Sequence, residues 1–376
     1  MLFAALLLIM HQTIANSAPG IGSICKKPAE ENKGVNMLLL RDVEKNKPKK
    51  RIYVRICIWL VLVLMTGWAV LVIWFSDLTP GIRLMSALLF AMATLLSPLL
   101  LRPRWLGPAV SCLLLAGIVI WFLSLTPSNT RDWQPDMAVI PHAEVTGNKI
   151  ALHNIRNCDY QTETDFTCHY YGRTFDLAKL RTLDLFLVYW GSPNIAHTML
   201  SFGFEDGGNV CFSIETRKEK GEEYSAIKGF FRQYEKMYVV ADERDVVRLR
   251  TNFRHEDVYL YRLQVQPEIV RKVFLDYLQE VNRLKAHPEW YNALTGNCTT
   301  SIRKHTVPYN PDARLDWRLI VNGYLDEMIY ERGFLSYALA FTELKKMSYI
   351  NKKAQAADQA PDFSRRIREG LPEQTH

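Results

Sequence analysis

The chain has 376 residues, enough for one or two folded domains, and its apolar residues are distributed unevenly. Three apolar blocks lie between about residues 53 and 125, whereas the sequence from about Asp132 onward mixes charged, aromatic and aliphatic residues as soluble domains do. The net charge of +7 includes the cluster Lys45–Arg51 (KNKPKKR), which directly precedes the first block, as the cytoplasmic flank of a membrane helix does. Nucleic-acid binding is the competing interpretation, but no zinc-finger spacing, RNP-like motif or Walker motif accompanies the cluster.

Each apolar block is long enough to cross a membrane as a helix, which takes about 20 residues. The blocks are Tyr53–Phe75, Arg83–Leu101 and Trp105–Leu125. The turn Arg102–Arg104 is basic, whereas residues 76–81 contain no Lys or Arg, so the positive-inside rule places the N-terminus and the second turn in the cytoplasm. We therefore predict a multi-pass protein of the bacterial inner membrane whose C-terminal domain is periplasmic. A re-entrant third segment would invert that orientation.

The N-terminal segment Met1–Met10 is apolar, but it is too short to span and lacks a basic n-region. A signal peptide cleaved near Ala15–Ala18 would send the basic cluster to the wrong side of the membrane, so we expect an over-extended start, with Met37 as the initiator. The predicted organisation is a cytoplasmic segment at 1–52, three transmembrane helices at 53–125, a linker at 126–149, a periplasmic domain at 150–346 and a loose polar tail at 347–376.

The soluble part is predicted to be an α+β domain, with an antiparallel sheet packed on helices. Aromatic and β-branched residues predict strands at Leu183–Trp190, Ile195–Phe204, Val210–Thr216, Met237–Val240 and Val258–Val265. The sequence Glu205–Asn209 predicts a hairpin turn. Helices are expected over Glu268–Lys285, from about Cys298, and over Trp317–Arg332.

Cysteine spacing agrees with an oxidising compartment. Cys158 and Cys168 lie ten residues apart in a polar stretch and are expected to form a local disulfide. Cys211 and Cys298 would then remain unpaired. Neither a CxxC motif nor a Cys/His ligand array is present, so we predict no metal site and no cofactor.

Cys298 is the candidate nucleophile. Gly296 and Asn297 interrupt what precedes it, and Thr299 suits a first helical turn, so the thiol is expected at a helix N-terminus. There the helix dipole favours the thiolate and free N–H groups can bind an oxyanion. A buried structural cysteine is the equally open alternative.

His197 is the candidate base, because it lies inside an apolar strand where an imidazole needs a hydrogen-bonding partner. A core histidine with a satisfied hydrogen bond is the alternative. Glu215, on the returning strand, would orient the imidazole if the hairpin turn has an odd number of residues, and Ser213 has the same parity. The other histidines considered are expected at the surface: His169, His255, His287 and His305.

Five strings in the soluble part together resemble one family. They are AHTMLSFGFEDG (196–207), SIETRKEKGEEYS (213–225), GFFRQYEKMYVVADERD (229–245), RTNFRHEDVYLYRL (250–263) and EWYNALTGNCTTSI (289–302). The family is named for the N-terminal periplasmic domain of Lnb, the lipoprotein intramolecular transacylase. The likeness extends over roughly residues 150–335 and leaves out the membrane helices.

The resemblance implies a permuted papain-like core of the NlpC type, in which the histidine strand precedes the cysteine helix, as His197 precedes Cys298 here. Carried over, Cys298 would take an acyl group as a thioester, His197 would serve as base and acid, and Glu215 would orient the imidazole. Arg217 would support Glu215 or bind a lipid headgroup, with Asn297 and Ser201 as further supporting or substrate-binding residues.

Three hypotheses remain open on the sequence. The first is a thiol acyltransferase or hydrolase acting on lipoprotein or phospholipid. The second is a cysteine amidase or peptidase acting on cell-wall peptide, which predicts a polar groove beside Cys298. The third is a membrane-anchored binding module, which predicts that Cys298 and His197 lie more than about 6 Å apart or that the cysteine is fully buried.

Overall fold

The computed structural model describes residues 33–310, 313–335 and 338–372, with side chains from Ile52 onward. The chain divides between Leu64 and Met65 into two compact units. Met1–Met10, the candidate cleavage site at Ala15–Ala18 and the last four residues lie outside the described part. So do the side chains of the basic cluster.

Three apolar helices come first: α1 (Lys33–Trp74), α2 (Pro80–Leu100) and α3 (Leu106–Ser124). Each contains a segment long and apolar enough to cross a membrane, which confirms the three predicted helices. Small residues hold α2 against α3: the Ser97 and Ser111 hydroxyls lie 2.9 Å apart, and a Cβ at Gly107 would lie 2.2 Å from the Ser97 carbonyl oxygen. Such close backbone approach is typical of helix pairs in membranes.

The remaining described residues form a mixed sheet with helices on both faces, which confirms the α+β class. The strands are β1 (His142–Thr146), β2 (Lys149–Tyr160), β3 (Phe166–Asp176), β4 (Leu180–Tyr189), β5 (Ala196–Phe204), β6 (Asn209–Arg217), β7 (Glu235–Ala241) and β8 (Asp257–Arg262). They run in the order β1-β2-β7-β6-β5-β4-β8, with β3 also paired to β2. The β2–β7 pair is parallel and the other pairs are antiparallel.

The helices of this part are α4 (Glu243–Arg248), α5 (Pro267–Ala286), α6 (Cys298–Thr306), α7 (Leu325–Glu331), α8 (Phe341–Ser348), α9 (Asn351–Ala356) and α10 (Phe363–Arg366). Successive side chains of a strand point to opposite faces, so β4 places Leu185 in the core beneath α5 and Phe186 in a second core on the other face. Both cores are apolar, which explains why the central strands are continuous apolar runs.

Two sequence-based expectations about helices need correction. Trp317–Arg332 is not one helix: two 3-10 turns, Trp317–Leu319 and Asn322–Tyr324, precede the short α7. The tail after Met347 is not loose, because Ile350, Phe363 and Ile367 are buried in the second core. Its few apolar residues recur at near-helical spacing within a polar composition, and that spacing is what packs it onto the sheet.

A disulfide joins Cys158 to Cys168 across the paired strands β2 and β3. Among the described residues of the soluble part, Cys211 and Cys298 have free thiols. Cys211 is fully buried, and burial raises the pKa of its thiol well above the ordinary value. These two thiols therefore differ in chemistry, because only Cys298 lines a cavity.

Candidate active site

Cys298 is the first residue of α6, which confirms the predicted helix N-terminus. The Asn297 side chain caps this helix by accepting a hydrogen bond from the Thr300 N–H at 2.9 Å, and its Nδ2 donates to the Ala293 carbonyl. The cap leaves the N–H groups of Cys298 and Thr299 at positions that have no carbonyl partner within the helix. Asn297 thus supports the candidate site by fixing the start of the helix that carries Cys298.

His197 is the second residue of β5, and it lines the same cavity of about 210 Å³ as Cys298. Both residues are 7% exposed, so each is nearly buried but reachable through the cavity. Each of these two groups shifts the pKa of the other, as ionisable groups that lie close together do. The two side chains that the sequence proposed as nucleophile and base therefore line one cavity.

The β5–β6 hairpin has an odd, three-residue turn, Glu205–Gly207, closed by the Phe204 N–H donating to the Gly208 carbonyl at 2.9 Å. Gly207 takes φ +80° there, a conformation that other residues rarely adopt. The resulting register pairs Met199 with Ser213, and so places Glu215 on the same face as His197.

Glu215 and Ser213 both reach the imidazole. The Glu215 Oε1 lies 3.1 Å from His197 Nε2, and the Ser213 Oγ lies 2.7 Å from the same nitrogen. The Ser213 hydroxyl also donates to Glu215 Oε1 at 2.6 Å. Because Nε2 faces Glu215 and Ser213, Nδ1 is the ring nitrogen left to interact with the Cys298 thiol.

Arg250, which the sequence did not single out, is the cation that supports Glu215. Its Nη2 donates to Glu215 Oε1 at 3.2 Å and its Nη1 to Glu256 at 3.1 Å. Arg217, expected in that role, instead donates to the carbonyl oxygens of Met137 and Ala138, both at 2.9 Å. Arg217 therefore fixes the segment before β1.

Ser201 is brought to a different place from the expected one. It is fully buried, and its hydroxyl donates to Glu243 Oε1 at 2.5 Å, on the side of the sheet that carries the C-terminal tail. Glu243 also accepts from Arg368 of that tail at 2.7 Å. These contacts anchor the C-terminal tail to the sheet. They do not support the expected substrate-binding role of Ser201.

Of the other histidines, His169, His255 and His287 are exposed, as expected, but His305 is not. His305 is 5% exposed, and its Nε2 lies 2.9 Å from the Tyr238 hydroxyl. It lies on the face of α6 that packs on the sheet. Because its neighbours in the sequence are polar, the local sequence does not indicate this burial.

Asn322 is a second residue that the sequence did not single out. Its Oδ1 accepts from the Ala196 N–H at 2.9 Å, and its Nδ2 donates to the Ala196 carbonyl at 2.6 Å and to the Thr299 hydroxyl at 2.7 Å. Asn322 thus ties the residue before His197 to the residue after Cys298. It is a positioning residue, hidden in a stretch that was predicted as continuous helix.

The electrostatics of the site favour charge separation. Burial alone would raise the pKa of the Cys298 thiol, but the charge and hydrogen bond of His197, with hydrogen bonds from Thr198, lower this pKa to about 7. Burial disfavours the imidazolium of His197, yet Glu215, and after it Cys298, raises its pKa to about 9. Burial also opposes ionisation of Glu215, but His197 and Arg250 hold its pKa well below the usual range. Near neutral pH a thiolate and an imidazolium therefore coexist.

Alkylation of Cys298 by iodoacetamide should accelerate with rising pH through a midpoint of about 7, because the thiolate is the reactive form. The substitution Glu215→Gln removes the carboxylate that keeps His197 protonated, so the imidazole stabilises the thiolate less and the midpoint should move to higher pH. The rate constants are measured by mass spectrometry from about pH 5 to 10, in a chain with Cys25, Cys57 and Cys112 changed to Ser.

Glu256→Gln is the matched control for that experiment. Glu256 lines the same cavity and binds Arg250, but its contact to His197 runs only through Arg250 and Glu215. In Glu256→Gln the pH midpoint of Cys298 alkylation should therefore stay closer to that of the unsubstituted chain. An unchanged midpoint in Glu215→Gln would contradict the assignment of Glu215 as the partner of the imidazole.

A further group of possible ligands lies on the β1–β2 hairpin, where one atom each of His142, Glu144 and His153 lies within 4.8 Å of the others. The two imidazoles stack at 4.6 Å with an interplanar angle of 16°. A metal ion binds a histidine in the plane of its ring, and no ion can lie in both of two nearly parallel planes. We assign no metal to this group.

Comparison with known proteins gives one match, and it is to a family model. Residues 166–323 match the model described as the Lnb N-terminal periplasmic domain, a range that contains His197, Glu215, Cys298 and Asn322. No curated protein and no solved structure gives a significant match. With the three apolar helices, the family match indicates a membrane-associated periplasmic function. The resemblance in the sequence motifs is thus confirmed by a family model: residues 166–323 match the Lnb N-terminal periplasmic domain.

Proposed function

We propose that the protein is a membrane-anchored periplasmic thiol acyltransferase or hydrolase that acts on the acyl esters of lipoprotein or phospholipid. The observation that carries this proposal is that Cys298, at a helix N-terminus, and His197, itself bound to Glu215, line one cavity. This is the relation of nucleophile, base and orienting group that covalent acyl transfer requires.

In the first half-reaction, the Cys298 thiolate attacks the ester carbonyl carbon, and the N–H groups at the start of α6 stabilise the oxyanion. The carbon–oxygen bond to the alcohol then breaks, and the His197 imidazolium gives its proton to the departing oxygen. The products are a free alcohol and a thioester on Cys298. Glu215 stabilises the imidazolium before this proton transfer and holds the ring in place after it.

In the second half-reaction, neutral His197 takes a proton from an amine or from water as that group attacks the thioester. The carbon–sulfur bond breaks, which restores the thiolate and the imidazolium and releases an amide or a fatty acid. An amine acceptor gives acyl transfer, whereas water gives hydrolysis. The two outcomes use the same residues and differ only in which acceptor the site admits.

The proposal extends to architecture and location. The order of a histidine strand before a cysteine helix, with the histidine strand in an antiparallel pair, supports a permuted papain-like core of the NlpC type. The uneven distribution of Lys and Arg around the three spans supports a multi-pass arrangement in a bacterial inner membrane with the domain in the periplasm. A site tethered beside the outer leaflet meets acyl esters at a high effective concentration.

A cysteine amidase or peptidase acting on cell-wall peptide is the second candidate, because the charged lining of the cavity is also compatible with it. Arg156, Lys218 and Arg254 line the cavity together with Glu256 and Asp136. Such groups suit a peptide with free carboxylates, but they suit a lipid phosphate equally well. The non-catalytic binding module has less support, because it predicts that Cys298 and His197 are far apart or that Cys298 is inaccessible. Both residues line one cavity, and Cys298 is 7% exposed.

Intact mass spectrometry of the purified protein, after incubation with diacyl lipopeptide or phospholipid vesicles, tests the acyl-enzyme. The unsubstituted chain should gain a fatty-acyl mass that hydroxylamine removes, because thioesters are labile to it, and Cys298→Ala should gain none. Cys211→Ala is the matched control, since that thiol is buried outside the cavity, and it should still be acylated. Absence of any adduct, together with turnover of a cell-wall peptide, would favour the amidase instead.

A further inference from the structure

Six exposed apolar side chains lie on chain segments that also contribute residues to the cavity containing Cys298. They are between 38% and 57% exposed, and we call them the apolar collar: Trp190, Ile195, Tyr224, Ile227, Phe230 and Leu294. Scattered apolar side chains are ordinary on a protein surface, but a contiguous group around a cavity marks a surface that contacts something apolar.

The collar is continuous with the cavity. Trp190 and Tyr224 line it, and the Trp190 ring lies 6.4 Å from the His197 ring. The loop carrying Ile227 and Phe230 is joined to the loop carrying Leu294 by the Ala293 N–H, which donates to the Gly229 carbonyl at 3.2 Å.

The collar also adjoins the ends of two apolar helices. Phe231, next to Phe230, stacks against Phe75 at the end of α1, with ring centroids 5.1 Å apart. Arg232 donates to the carbonyl oxygens of Phe122 and Leu125, at 2.8 and 3.2 Å, at the end of α3. The loop that carries Phe230 is therefore held against the ends of α1 and α3, which contain two of the candidate membrane spans.

We propose that the apolar collar inserts into the outer leaflet of the bilayer, so that the cavity opens directly onto lipid. Phe230 lies one residue from a contact with the end of a span, so the bilayer that surrounds the spans is already at the collar. The charged side chains within the cavity are then at headgroup depth, and acyl chains lie along the collar. The inference deepens the proposed function by naming the bilayer as the route by which substrate reaches Cys298.

The test places an environment-sensitive fluorophore on the collar of the full chain in proteoliposomes. The variant Ile227→Cys is labelled in a background with Cys25, Cys57 and Cys112 changed to Ser and Cys298 to Ala, and Cys211 stays buried. The matched control is Val145→Cys, 49% exposed on β1 and outside the collar. Quenching by a nitroxide-labelled phospholipid and by aqueous iodide is compared at the two sites.

At position 227 we expect quenching by the lipid nitroxide and iodide quenching about fivefold weaker than at 145, because an inserted side chain lies below the water-accessible surface. Equal iodide quenching at both sites would overturn the proposal. Protection at 227 from both quenchers would also overturn it, since that result means that a second copy or another polypeptide covers the collar. No substrate is involved, so the outcome is independent of whether Cys298 forms an acyl-enzyme.

Discussion

Replacing His197 with Asn should lower the rate of acyl-enzyme formation by about 10²- to 10⁴-fold, the usual contribution of general acid–base catalysis. Two effects combine. Without the imidazolium, burial of the Cys298 thiol is no longer offset, so its pKa rises above the present value of about 7 and less thiolate is present. The departing alkoxide also loses its proton donor. The rate is measured as the appearance of the acyl adduct in a single turnover.

The two effects can be separated by changing the leaving group. A p-nitrophenoxide needs no proton to depart, so a p-nitrophenyl ester should suffer only from the lost thiolate. Its rate should therefore fall much less than that of an alkyl ester in the same variant. Equal losses for both esters would mean that His197 acts only by setting the pKa of the thiol.

His305→Asn is the matched control for His197→Asn. His305 is buried on the same helix as Cys298, but it contacts Tyr238 and does not line the cavity. This substitution should affect stability more than rate. If acyl-enzyme formation in His197→Asn were within about threefold of the rate in the unsubstituted chain, the assignment of His197 as acid and base would be contradicted.

The core of the site could be predicted because it depends on local patterns. The sequence shows an apolar strand with one histidine, a glycine-rich turn and a returning strand. In such a hairpin Glu215 faces either the same side of the sheet as His197 or the opposite side, and the number of residues in the turn decides which. The break before Cys298 likewise predicts a helix start from neighbouring residues alone. Both inferences need only short stretches of chain, which is where sequence patterns are most informative.

The supporting residues could not be predicted, because their partners are distant in sequence. Arg250 reaches Glu215 from the turn after α4, and Asn322 reaches Ala196 and Thr299 from a separate loop. Nothing in the local composition distinguishes Arg250 from Arg217. Strands β1 to β3 were also missed, since an edge strand such as β3 alternates polar and half-buried residues and therefore lacks an apolar signal.

Asp245→Ala should destabilise the soluble domain by about 3–5 kcal/mol, because it leaves the buried guanidinium of Arg156 without its ion-pair partner. The Asp245 carboxylate is fully buried and accepts two hydrogen bonds from Arg156, both at 2.8 Å, one from the Cys158 N–H at 2.8 Å and one from the Tyr160 hydroxyl at 3.0 Å. These bonds join strand β2, and with it the disulfide, to α4. The free energy of unfolding is measured by urea titration of the full chain in detergent, with labelling of Cys211 reporting the unfolded fraction.

The control is Asp132→Ala, which breaks an exposed ion pair with Lys220 and should cost about 1 kcal/mol or less. The double variant Arg156→Met, Asp245→Ala should be more stable than Asp245→Ala alone, because the guanidinium is no longer buried without its partner. If Asp245→Ala were no more harmful than Asp132→Ala, the buried pair would not be what holds β2 against α4. A loss of the expected size would instead support the buried ion pair as what holds β2 against α4, next to the cavity that Arg156 also lines.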